Sequence, residues 1–530
     1  MQCFFLLLLL HLSTTAFCLA TYSVNGGTST STSKNKNNDD ATGRFVIVST
    51  KKNGGHAQFF PYSSSSKINH KGGNGIKSGT KTFLHIEHLG KKVQTALRST
   101  FMPSGYPQRT PPGYLRYSVW SWIQDTSTQL RSVLAAQRIL EGVGVGKEGA
   151  TALSALMNFL ARDGCGMIAT LLFTSVASSR FRSDIKRWRM VADLAVDVGI
   201  TLEVAAVAYA TFFLPMICLG TAFKAICGVA AGACGGAINL HWAKGSDISD
   251  VNAKFGAQHT VTGGLGLVLA AIFARSVSTW KLWRLWVLYS ALTVTHIVAN
   301  MRCMRLIALE SLNHVRMNII LVEFLAWWDQ QQQQSSSEEN RSTTNASPSI
   351  LPPAQVSKVE PLFFLPSWIL PRQHKLRKSS VPIYFGESFN DFCEHSKLAS
   401  GAETAETLLN SPEEVVDLTF NGEGYLISAG SLQGKQKYCV DVVFRSNAQP
   451  EDEAKAYLHA ILLGRELKKA ATGGENMDEA QIFAAAEMKV NESFNAAWNI
   501  FQTSCEAAGW NLTNTEIQTL GYEIATAPAT

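Results

Sequence analysis

Charged residues that stand where an apolar helix should carry none are the side chains of this sequence best placed to do chemistry. Arg162 and Asp163 sit side by side inside ALSALMNFLARDGCGMIATLLF. Arg189, Asp193, Asp197 and Thr201 then recur at intervals of four, one polar stripe on an otherwise apolar helix. Ionisable groups in a membrane or a deep core persist when they pair or line a wet cavity, so Arg162, Asp163, Asp193 and Asp197 are expected to form one buried network. Arg302, Arg305, Asn313 and Arg316 share a helix face in MRCMRLIALESLNHVRMNII and can pair with those carboxylates. With Lys254, Gln258 and Asn300, the candidate ligand-binding set is Arg162, Asp163, Asp193, Asp197, Lys254, Gln258, Asn300, Arg302 and Asn313. Such a set suits the binding or passage of a small polar solute. It suits equally an ion-pair network that holds helix ends together.

Other chemistries lack their context. Gly144, Gly146 and Gly149 satisfy GxGxxG, but a helix and not a strand precedes them, so the stretch reads as a helix–helix turn. Gly146-Lys147 is followed by Glu148 where a phosphate-binding loop needs Ser or Thr. No catalytic residue is assigned and no metal set is expected, because the ten cysteines show no zinc spacing. Lys224 stands alone between two apolar runs, either as an amine of depressed pKa or as a side chain snorkelling to an interface.

The elements that must position these residues are long and apolar. Of 530 residues, 46% are hydrophobic and only 17% charged, a balance that leans towards a membrane. A formal charge of +6 without a dense basic stripe argues against a nucleic-acid partner. Five runs approach spanning length: 153–179, 204–223, 225–243, 255–274 and 285–301, for four or five spans. Gly228, Gly232 and Gly236 leave one helix face bare for a neighbour, a packing role. The basic segment RFRSDIKRWR between two of the runs reads as a retained loop, solvated or facing anionic lipid. Trp120 and Trp122 beside Tyr114 and Tyr117 suit either an interfacial belt or a face packed on the core.

The rest of the chain divides by composition. Residues 1–20 have the layout of a signal peptide. Residues 21–100 are transit-like and disordered in character, so the two together resemble the bipartite presequence of complex plastids; a secreted or endomembrane protein is the alternative. A helical membrane domain is expected over 101–328 and a Gln/Ser-rich linker over 329–350. A C-terminal α+β domain fills 351–530, with strands at YLISAG and KYCVDVVFR and helices over 451–469 and 478–508. The fold class is mainly α: a multi-span helical membrane domain with a small C-terminal α+β domain.

Several stretches together resemble the root UV-B sensitive family: FMPSGYP, SVLAAQRILEGVGVG with TALSALMNFLARDGCGM, WRMVADLAVDVG, CLGTAFKAICGVAAGA, DISDVNAKFGAQHTV and THIVANMRCMRLIALESLN. They cover about 101–324, and YLHAILLG and SCEAAGWNL resemble the family's C-terminal portion. Phe255 and His259 depart from the acidic residues usual in the family. The resemblance implies membrane or plastid association and links to UV-B response, auxin transport and vitamin B6 homeostasis, without a defined reaction. Partners are then a lipid bilayer and a family-member or regulatory protein. Pyridoxal phosphate enters only through the vitamin B6 link and Lys224. The two functional readings are a solute-binding membrane protein and a non-enzymatic scaffold.

Overall fold

The computed structural model describes residues 48–49, 58–59, 92–144, 152–277, 281–335, 348–364, 381–385, 424–431, 438–473, 478–517 and 523–524. The signal and most of the transit-like segment lie outside the described residues, as do Gly146 and Gly149 of the glycine-rich turn. Two compact units are present: residues 1–122 with 242–261, and residues 123–241 with 262–530.

Among the described residues, six long helices lie between 114 and 306: α1 (Tyr114–Val143), α2 (Ala152–Ala177), α3 (Ile185–Ala206), α4 (Phe213–Trp242), α5 (Ile248–Val277) and α6 (Leu282–Leu306). Glycines with positive φ end two of them, Gly144 after α1 and Gly245 after α4, where a side chain would be strained. Four helical segments among the described residues are long and apolar enough to cross a membrane: Ala152–Ala177, Ala210–Trp242, Ile248–Phe273 and Leu282–Leu306. The runs 204–223 and 225–243 are therefore not two spans. α3 stops at Ala206, and a single helix carries residues 213–242 past Lys224. It does so because Lys224 is not a boundary residue: its Nζ stands 2.5 Å from Glu203 Oε1. α3 is not among the four because Lys186, Arg187, Arg189, Asp193, Asp197 and Glu203 make it too highly charged.

In the first unit, Tyr114 and Tyr117 pack against Trp242 and Phe255, with ring centroids 5.0–5.9 Å apart. Tyr114 and Tyr117 thus belong to a packed face, whereas Trp120 and Trp122 are half-buried, Trp122 against Phe101. In the second unit, α3 and α4 cross where Gly199 meets Gly220; a Cβ built on either would lie 2.6 or 2.8 Å from the other's carbonyl oxygen. Gly228, Gly232 and Gly236 have nothing within 4 Å of such a Cβ, so the packing expected of them falls instead on the Gly199–Gly220 pair.

β1 (Ser311–Leu312) leads into α7 (His314–Ser335), which runs through Gln330–Gln334 where a linker was expected. Its apolar face, Ile320, Leu321 and Phe324 included, joins the C-terminal core. A short α8 (Pro353–Val359) follows. The C-terminal sheet holds β2 (Ile383–Phe385), β3 (Tyr425–Ser431) and β4 (Tyr438–Arg445) in the order β2-β4-β3. β2 is parallel and β3 antiparallel to β4, and the two-residue β6 (Glu523–Ile524) pairs with β4. α9 (Pro450–Gly473) and α10 (Glu479–Ala507) pack on this sheet, and a capping box between Asp478 and Gln481 starts α10. β5 (Asn511–Thr515) returns to pair with β1. The fold class is the one read from the sequence.

Candidate functional site

Three polar stripes of the second unit converge inside apolar surroundings. α1 supplies Gln124, Thr128 and Arg131; α3 supplies Asp193, Asp197 and Thr201; α6 supplies Tyr289, Thr293, His296 and Asn300. Each stripe follows the three-and-four spacing that keeps side chains on one helix face. Arg131 is fully buried, and its Nη1 pairs with Asp197 Oδ1 and donates to Thr293 Oγ1 at 3.3 Å. His296 Nδ1 lies 2.9 Å from the same carboxylate oxygen. His296 Nδ1 is thus the ring nitrogen placed to donate to the carboxylate. Thr201 donates to the Asp197 carbonyl at 2.6 Å and shares a hydrogen bond with the Tyr289 hydroxyl at 2.8 Å. One turn away, Asp193 pairs with Arg189 and accepts from Gln124 Nε2 at 2.6 Å.

Asn300 is fully buried, and its Nδ2 reaches only the Met190 sulfur at 3.1 Å while its Oδ1 has no partner. An amide oxygen buried without a donor costs on the order of 1–3 kcal/mol, a cost that a bound donor group would remove.

The expected single network does not form. Asp193 and Asp197 occupy the buried cluster, but Arg162 pairs with its neighbour Asp163 on α2, where the Asp163 side chain is 54% exposed. α2 carries the pair on a helix of which only 6% of the spanning window is buried, so Asp163 faces outward and Arg162 turns to it, away from the α1–α3–α6 cluster. Lys254 and Gln258 make their contacts in the first unit: Lys254 to Asp250 and the Ser99 carbonyl, Gln258 to the Phe101 carbonyl and the Tyr114 hydroxyl. Arg302 is exposed near the end of α6.

Asn313 belongs to a second buried cluster, at the joint of α3, α6, α7 and α8. It donates to the Ser183 carbonyl at 2.7 Å and to Asp184 at 3.3 Å, and its Oδ1 accepts from the Arg316 amide. Lys186 Nζ lies 2.9 Å from both Glu360 Oε2 and Ser357 Oγ, and Arg316 Nε lies 3.1 Å from Glu360 Oε1. Arg305 donates to the carbonyls of Lys358 and Glu360. Burial alone would raise the Glu360 carboxyl, yet Arg316 and Lys186 hold it down at about 2. The basic segment is therefore not a plain loop: Lys186 and Asp184 are buried in this joint, and only Arg180 and Arg182 of its cations face outward.

Arg131, His296, Lys186 and Glu360 were not singled out from the sequence. The Gln124–Thr128–Arg131 and Tyr289–Thr293–His296–Asn300 spacings were a signal for the first two. Nothing local marks Glu360, whose partners lie far away in sequence.

A family model described as "Vitamin B6 photo-protection and homoeostasis domain" matches residues 87–327, and one described as "Root UVB sensitive protein, C-terminal" matches 388–519. The chain belongs to the root UV-B sensitive family. Within this family, Protein root UVB sensitive 3 of Arabidopsis thaliana is 28% identical over 73% of this chain and 78% of its own length. RUS family member 1 of Dictyostelium discoideum is 30% identical over 53% of this chain and 50% of its own. Protein root UVB sensitive 2, chloroplastic, of Arabidopsis thaliana is 32% identical over 44% of this chain and 53% of its own. No solved structure matches the chain significantly.

Proposed function

We propose that this family member is a membrane protein whose helical domain binds or passes a small polar solute at the Arg131–Asp197–His296–Asn300 cluster. The observation that carries the reading is the Asn300 amide oxygen, fully buried and without a donor beside an ion-paired carboxylate and an imidazole. Together these groups offer an amide acceptor, a guanidinium and an imidazole, a set suited to a solute bearing both donor and acceptor functions. The family's vitamin B6 description makes B6 vitamers the first solutes to test, and the family's auxin link makes indole carboxylates the second. Because Glu203 engages the Lys224 ammonium, we assign the vitamin B6 link to solute recognition and not to a Schiff base. The presequence order and a chloroplastic relative support a plastid membrane as the location.

The test has two stages. Alkaline carbonate should leave the full chain in the membrane pellet, and its release would sink the reading. Purified protein should then show a rise in melting temperature with a B6 vitamer or an indole carboxylate that Asn300→Leu abolishes. The second reading, a scaffold, is favoured by the saturated Lys186–Glu360–Arg316 joint. It gains if no solute shifts the melting temperature.

A further inference from the structure

The geometry points to α2 as the seam through which two copies of this chain pair inside the membrane, with Arg162 and Asp163 as its reciprocal ionic contact. α2 is long and apolar enough to cross a bilayer, yet only 6% of its spanning window is buried. Leu153, Leu156, Leu160, Asp163 and Met167 follow one another at spacings of three, four, three and four, the repeat of a helix–helix seam, and every one is more than half exposed. Asp163 interrupts the seam near its centre, about 17 Å from the start of the helix at 1.5 Å per residue, close to the midplane of a bilayer.

Lipid covers leucine and methionine readily but not a carboxylate at that depth. The contacts within one copy leave the pair half satisfied. Arg162 gives both Nε and Nη2 to the single oxygen Asp163 Oδ1, at 2.9 and 2.8 Å, while its guanidinium stacks 5.0 Å from the Phe159 ring. Each copy therefore offers one further acceptor, Asp163 Oδ2, and one further donor, Arg162 Nη1. Copies of one chain share one orientation in the membrane, so a two-fold axis along the membrane normal sets these groups opposite each other. Donor then meets acceptor twice. That self-complementarity is what selects a second copy over an unrelated helix.

Full-length protein carrying Leu160→Cys, oxidised in its own membranes, should give a disulfide-linked dimer at least tenfold above the wild type, whose native Cys165 lies off the seam. In nanodiscs the wild type should contain two copies per disc by mass. Arg162→Asp or Asp163→Arg alone should lower the dimer fraction at least tenfold, and the exchange R162D/D163R should restore it. If the single reversals fail to fold, Leu160→Cys crosslinking with the charges intact still decides. A monomer in nanodiscs would overturn the proposal. So would crosslinking at Gly232→Cys but not at Leu160→Cys, or an exchange variant that folds and remains monomeric.

Discussion

The Glu360 carboxylate takes the Lys186 ammonium at 2.9 Å across 174 positions of sequence, and its other oxygen takes Arg316. The three side chains are almost wholly buried, so the one acid neutralises two cations. Glu360→Gln should therefore cost more than Lys186→Met: the first leaves two buried cations uncompensated, the second leaves the Arg316 pair whole. The expected losses are about 3–5 kcal/mol and about 1–2 kcal/mol. Thermal unfolding of the purified full chain would rank them, and equal losses would refute the asymmetry.

The Arg131–Asp197 cluster behaves by the same rule. Arg131→Met strands Asp197 against His296 alone and should lower the melting temperature sharply. Arg131→Met with Asp197→Asn should recover part of the loss, because no net charge is then left buried. Asp163→Asn, on an exposed face, should leave monomer stability within about 0.5 kcal/mol. Melting curves of the three variants and the wild type in one detergent would test this.

Two glycines give a steric prediction of opposite sign to a third. Gly199→Ala drives a methyl to 2.6 Å from the Gly220 carbonyl oxygen, so α3 and α4 must part, at about 1–3 kcal/mol. Gly232→Ala meets nothing within 4 Å and removes a flexible residue from a helix, a gain of about 0.5–1 kcal/mol. If both variants melt at the wild-type temperature, the close crossing is absent.

Glu453 supplies a pH dependence. Burial raises its carboxyl to about 7, against hydrogen bonds from the Ile517 amide and Thr515. Its folded-state pKa lies above the unfolded value, so the stability it contributes is complete below about pH 4.5 and is lost as pH rises through about 7. Allowing for its partial exposure, the loss is at most about 2 kcal/mol. Between pH 5 and 8 the full chain should lose melting temperature, and Glu453→Gln should flatten that slope.

How far the sequence carried these conclusions depends on range. The apolar runs, the strands at 425–431 and 438–445 and the C-terminal helices were legible because period and length mark them locally. The Asp193–Asp197–Thr201 stripe was legible for the same reason. Lys224 was misplaced because its neutralising partner, Glu203, sits in the preceding helix, so a charge between two apolar runs looked like a boundary. Gly228, Gly232 and Gly236 drew attention by their regular spacing, whereas the pair that does meet, Gly199 and Gly220, is one glycine from each of two helices and forms no motif. The Lys186–Glu360 joint depends wholly on tertiary folding.

Glu360 and Ser357 fall between the two family matches, in neither 87–327 nor 388–519. A fragment cut at 327 would begin life with Lys186 and Arg316 facing a vacated socket, and with Phe324 exposed where the C-terminal core had covered it. Expression of the helical portion alone should yield aggregates or rapid degradation. Supplying residues 348–364 in trans, as a short peptide, would return Glu360 and Ser357 to Lys186 but leave Phe324 uncovered.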